Sequence, residues 1–242
     1  MARLLSWKEN RFKFFLILFC ILFFIAWIFI LKSCLSRSTY YPKAYLSRHY
    51  SNAVKYYNEH LFASAVSKLI GILKIDPDYK DAYILLGDIY RNSGLYPEAI
   101  RQYLRAIKVD SMDKSSHYKL ALAYWQMGNY TASAREFNFM LKNFNSDEID
   151  LINNLASCYR NIGLYKPALE KYKKVLKLDP RHATAYYNIG TIYFTDYQDY
   201  KRAIKEWIKA LRIDPEMEEA RVYISNAKIL LKEKHHAQKN RK

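Results

Sequence analysis

Residues 80–113 read KDAYILLGDIYRNSGLYPEAIRQYLRAIKVDSMD, and this stretch decides the fold. Apolar and small residues recur three and four apart on either side of Gly94, the spacing of one face of a helix. Gly94 interrupts the pattern midway. The unit is therefore two amphipathic helices joined by a tight turn. A lone pair leaves apolar faces uncovered, so it needs copies of itself on both sides.

The copies lie before and after it. The unit 80–113 presents Tyr83, Leu86, Gly87, Tyr90, Gly94, Tyr96, Ala99, Tyr103 and Ala106. The unit 149–182 repeats the order with Ile152, Leu155, Ala156, Tyr159, Gly163, Tyr165, Ala168, Tyr172 and Val175, then Pro180. The unit 114–148 gives His117, Leu120, Ala121, Tyr124, Gly128, Tyr130, Ser133, Phe137 and Met140, and is one residue longer. The unit 46–79 is weaker at its start (His49, Asn52) but recovers with Ala53, Tyr56, Phe62, Ala65, Leu69, Ile72 and Pro77. The unit 183–217 has Tyr186, Ile189, Gly190 and Tyr193, an extra residue and no Gly in its turn, then Tyr200, Ala203, Trp207, Ala210 and Pro215. Small residues let helices approach, aromatics fill the space between them, and Pro stops the second helix.

On these residues the stretch 46–217 resembles the tetratricopeptide repeat (TPR) family. The resemblance implies an all-α, right-handed solenoid of about five helix pairs (46–79, 80–113, 114–148, 149–182, 183–217). The stretch 218–234 reads as a capping helix, with Ala220, Val222, Tyr223, Ala227 and Leu230 covering the last repeat and Glu218, Glu219, Arg221 and Lys228 facing water. Residues 235–242 form a basic tail.

Residues 14–31 are eighteen consecutive uncharged residues, FFLILFCILFFIAWIFIL. As a helix they would span about 27 Å, close to a hydrocarbon core. The run exceeds a signal-peptide core and no Ala-x-Ala follows it, so it reads as an uncleaved transmembrane helix or signal anchor. Residues 1–13 are its basic flank and 32–45 a polar linker. Leu31-Lys32-Ser33-Cys34 also resembles a degenerate bacterial lipobox, which would make Cys34 a lipidation site and the chain a lipoprotein subunit of an envelope assembly. Lys and Arg balance on the two sides of the span. The short N-terminal side favours an inside amino terminus, placing the repeats on the non-cytoplasmic side of a single-pass membrane protein.

The net charge is +16. Much of it sits in residues 1–13, 32–48 and 232–242, where contact with anionic headgroups is the simple explanation. An RNA-binding array resembling the pentatricopeptide family is the alternative; it fits the basic charge and the near-35 spacing but not the apolar run. With 51% hydrophobic residues the chain is not of a disordered class, and with six Gly and six Pro it is not an all-β protein rich in turns. No phosphate-cradling loop, Gly-x-Ser-x-Gly, His-Glu-x-x-His or Cys-x-x-Cys is present, and the six histidines are scattered, so neither an enzyme nor a cofactor or metal site is expected.

In TPR-like folds the first helix of each pair lines the concave face. The resemblance places Tyr50, Tyr57, Asn58, Asn92, Tyr118, Trp125, Asn154, Asn161, Tyr187, Asn188 and Phe194 there. Carboxamides among aromatics suit an extended peptide or a helix of a partner protein, because Asn can donate to and accept from a backbone of any sequence. A clamp for acidic chaperone tails would need Lys and Asn at two fixed positions. Ile84 with Asp88, or Asn153 with Ser157, stand there instead.

Overall fold

The computed structural model describes residues 43–144 and 147–239, which form eleven helices with no strand among the described residues. In chain order they are α1 (Lys43–Asn58), α2 (Phe62–Ile75), α3 (Lys80–Asn92), α4 (Tyr96–Val109), α5 (Lys114–Gln126) and α6 (Tyr130–Asn143). Then follow α7 (Ile149–Ile162), α8 (Tyr165–Leu178), α9 (Ala183–Thr195), α10 (Tyr200–Ile213) and α11 (Glu218–Lys239). Each odd helix up to α9 packs on the even helix after it, and each even helix packs on the next odd one. Successive first helices also touch, α1 with α3, α3 with α5 and α7 with α9, so the first helices line the inner side of the stack and the second helices its outer side.

Two devices punctuate the repeats. Inside the pair, Gly94, Gly128 and Gly163 adopt φ of 74°, 82° and 88°, the left-handed region that a Cβ disfavours. The residue after each glycine then donates its N–H five residues back: Leu95 to Tyr90, Asn129 to Tyr124 and Leu164 to Tyr159, at 2.8–2.9 Å. This is the Schellman closure of a helix end. His60 takes the same conformation without being glycine, at φ 58°, and Leu61 closes onto Tyr56 at 2.9 Å. In the last repeat the extra residue lengthens the loop; Gln198 supplies the positive φ of 48° and Asp199 N–H reaches back to Tyr193 at 2.8 Å.

Between repeats the stop signal is an aspartate rather than proline alone. The Asp76, Asp110, Asp179 and Asp214 side chains each accept the backbone N–H two residues on, at 2.9–3.2 Å. Such an Asx turn ends the helix by offering the backbone another partner. Phe144 stands at the corresponding place in the third repeat. Lys80 adds an ion pair to Asp110 (2.9 Å) and Asp113 (2.7 Å). Burial opposes ionisation of Asp113, but Lys80 and the Ser116 N–H outweigh it and hold the carboxyl below its ordinary range.

The core is a series of layers. Ala53, Gly87, Ala121, Ala156 and Gly190 are the small residues of the first helices; Leu69, Tyr103, Phe137, Tyr172 and Trp207 are the large residues of the second, all fully buried. The two glycines face the bulkiest contacts. A Cβ at Gly87 would lie 2.4 Å from the Tyr103 ring, and one at Gly190 would lie 2.6 Å from the Trp207 indole.

The boundaries differ from the sequence expectation at both ends. The first helix begins at Lys43, inside the stretch read as linker, and α11 runs on to Lys239, into the stretch read as tail. Ala220, Tyr223, Ile224 and Ala227 pack on Ala203 and Trp207, one continuous helical stripe. Val222 lies off that stripe and is 52% exposed, so it does not cover the last repeat. The apolar run 14–31 and Cys34 lie outside the described residues. No helix among the described residues is long and apolar enough to cross a membrane.

Candidate protein-binding groove

The inner helices α1, α3, α5, α7 and α9 carry the residues assigned to the groove. Tyr50 packs against Tyr79, ring centres 5.6 Å apart. Burial first, then the Asp81 carboxylate, pushes its hydroxyl up to about 12. Asn92 donates its amide to the Tyr57 hydroxyl at 2.7 Å, linking the first and second repeats, and Asn58 is exposed at the end of α1.

The middle of the array is the open part. Tyr118 is half-buried, edge-on to Phe137 at 6.2 Å. It lines a cleft of about 460 Å³ with Ser115, Met140, Asp150 and Leu151 between the third and fourth repeats. Trp125 is 42% exposed and meets the edge of Tyr130 at 6.0 Å. Asn154 is half-buried on α7, whereas the Asn161 amide turns back onto the Ser157 carbonyl at 2.8 Å.

The C-terminal end is closed. Tyr187 and Phe194 lie 6.1 and 5.8 Å from Tyr223 of α11, and Phe194 also packs 5.5 Å from Trp207. Asn188 is only 6% exposed. Asn154 and Asn188 thus occupy equivalent repeat positions but not equivalent surroundings, and the structure does not bring them together as one open ladder.

Charge on the inner face is largely paired within the chain. Lys119 of α5 bridges both oxygens of Asp88 on α3, at 2.8 and 2.9 Å, and Tyr103 donates to the same carboxylate. Three polar atoms on inner helices are buried without a hydrogen-bond partner among the described residues: the Arg91 Nε–H donor, the Ser116 Oγ and the Asn153 Oδ1 acceptor. Repeat position places Arg91 and Asn153 on the concave face, but nothing in the sequence marks their side chains as unpartnered. His117, a packing position in the repeat, is buried with Nδ1 2.8 Å from Glu136 and Nε2 3.1 Å from the Ser111 carbonyl. Among the described residues no group of three or more His, Cys, Asp or Glu could hold a metal ion.

Residues 87–128 and 156–196 match the model of a TPR repeat family, and residues 183–217 match that of a second tetratricopeptide repeat family. The chain carries tetratricopeptide repeats. No curated protein matches it. Among solved structures it is similar to YrrB, a TPR protein with an unusual peptide-binding site, with TM-score 0.62 and 21% identity over 71% of this chain and 88% of that one. A MamA structure gives TM-score 0.63 and 22% identity over 72% and 94% of the two chains. MamA from Desulfovibrio magneticus RS-1 gives 0.65 and 13% over 71% and 96%. At these identities the likeness is one of fold. The TPR array is all-helical across the described residues, as the repeat pattern predicts.

Proposed function

We propose that the chain is a membrane-tethered scaffold that holds an extended segment or helix of a partner protein along its inner face. The observation that carries this reading is the open, partly apolar centre of that face, where Tyr118 lines a cleft of about 460 Å³ and Trp125 is 42% exposed. Tyr118 and Trp125 supply the apolar area that a groove of this kind needs. The open stretch is the middle of the array, around the third and fourth repeats, while α11 packs against the inner aromatics of the fifth. YrrB, of the same fold, has a peptide-binding site.

The tether is residues 14–31, with the array on the non-cytoplasmic side, as the short N-terminal side of the span favours. Holding a partner segment at the bilayer would support assembly of a membrane-associated complex. The test is a crosslinked pull-down from native membranes comparing the wild type with a Trp125→Ala, Asn154→Ala variant. Both side chains are outside the buried core, so the variant keeps its fold. Loss of the captured partner in the variant supports the groove; equal capture by both proteins rejects it.

A further inference from the structure

The near balance of charge across the repeats conceals a segregation. The outer helices α2, α4, α6, α8 and α10 hold seventeen Lys or Arg against four Glu. The inner helices α1, α3, α5, α7 and α9 hold eight against three Asp. Many of the compensating acids sit at helix ends, where Asp76, Asp110, Asp179 and Asp214 build turns. One row is periodic: Lys74, Lys108, Lys142, Lys177 and Arg212 each occupy the last turn of an outer helix, and all are exposed. A cation there also suits the helix dipole. That accounts for five of the seventeen; Arg101, Lys174, Arg202 and Lys209 pair with Glu98, Asp147, Asp199 and Glu206, and eight remain.

We infer that this outer face docks on an anionic lipid surface. Three observations select that occupant. The charge is complementary to anionic headgroups, which attract each nearby Lys or Arg. Ile70, Leu104 and Ile208 stand exposed at the same repeat position within the basic stripes of α2, α4 and α10, the mixture of cations and aliphatic side chains that settles at a headgroup boundary. A single-stranded nucleic acid would instead need stacking platforms. The exposed aromatics Tyr45, Trp125 and Tyr197 all lie off the outer helices. The inference rests on the tether in one respect: eleven residues separate position 31 from Lys43, a reach of at most about 37 Å that keeps the array near the bilayer. Docking would leave the inner groove facing away from the lipid, open to its partner.

The test uses the full chain in nanodiscs of phosphatidylcholine, alone or with phosphatidylglycerol. A photo-crosslinking benzophenone side chain replaces Ile208, or Tyr118 as the inner-face control. The expected result is at least about tenfold more lipid adduct from position 208 in the anionic discs. That adduct falls in high salt and in a Lys173→Glu, Lys177→Glu, Lys205→Glu, Arg212→Glu variant, whose changes are all at exposed positions. Position 118 gives none. Equal adduct in the two lipids, equal adduct from position 118, or loss of the lipid adduct to added RNA would overturn the inference. Alkaline extraction of the full chain from vesicles tests the tether separately. Release would end the tether reading, and the salt-sensitive adduct formed with added phosphatidylglycerol vesicles would then decide docking by itself.

Discussion

Tyr103 donates its phenolic hydrogen to Asp88 at 2.8 Å, from a ring that lies where the Cβ of residue 87 would be. The fourth repeat repeats the arrangement with Tyr172 and Ser157, 2.9 Å apart. Where the outer residue has no hydroxyl, its inner counterpart is apolar: Leu69 with Val54, and Phe137 with Leu122. Trp207 sends its indole N–H to the Tyr187 carbonyl instead, at 3.1 Å. The second, fourth and fifth repeats thus match a buried polar tip with a partner on the inner helix. Gly87→Leu should overpack this layer and lower stability by about 1–3 kcal/mol or more. Tyr103→Phe should cost only about 0.5–1.5 kcal/mol, since Lys119 still satisfies Asp88. Denaturant unfolding of the two variants checks the order.

Alkaline stability follows from the same tyrosines. Burial, partly offset by the Ser157 hydrogen bond, pushes the Tyr172 hydroxyl up to about 12; burial and Asp88 push Tyr103 further in the same direction. The folded state therefore holds protons that the unfolded chain gives up near pH 10. This contribution is complete below pH 10 and is lost as pH rises through the folded value. Unfolding midpoints should fall steeply between about pH 10 and 12, and Tyr172→Phe should flatten that fall. A slope unchanged by the substitution would contradict the assignment.

The helix stops can be tested at Asp179, whose carboxylate accepts the Arg181 N–H at 2.9 Å and makes no ion pair among those seen. Asp179→Ala should cost about 0.5–1.5 kcal/mol. Thermal unfolding indistinguishable from the wild type would show that Pro180 alone ends α8.

His60 is a non-glycine residue at φ 58° in the turn where three other repeats use glycine. Relief of left-handed strain, about 1–2 kcal/mol, should exceed the added freedom of an unfolded glycine. His60→Gly is therefore expected to raise stability by up to about 1 kcal/mol, read as a higher denaturant midpoint with an unchanged slope.

The helix pairs, their count and the turn glycines were legible because periodicity and φ requirements act within a few residues. The aspartate stops were passed over because proline is the louder signal, although Asp110 ends α4 where no proline follows. His60 gave no sign, since nothing in its type announces a left-handed backbone. The fate of Tyr187 and Phe194 depended on how α11 packs, which is a matter of tertiary contact. The outer charge escaped a count by segment because basic residues alternate in sequence with the turn acids that balance them, and only the fold sorts the two apart. The open centre around Tyr118 and Trp125 was readable from helix position; the unpartnered Arg91 and Asn153 atoms were not.

The most direct measurement places the benzophenone side chain at position 125 on the inner face and, separately, at position 208 on the outer face, in native membranes. The account predicts a protein adduct of one mass from position 125, absent from position 208 and lost when Tyr118→Ala and Asn154→Ala are added. The same protein adduct from position 208, or none from position 125, would contradict an inner-face binding groove.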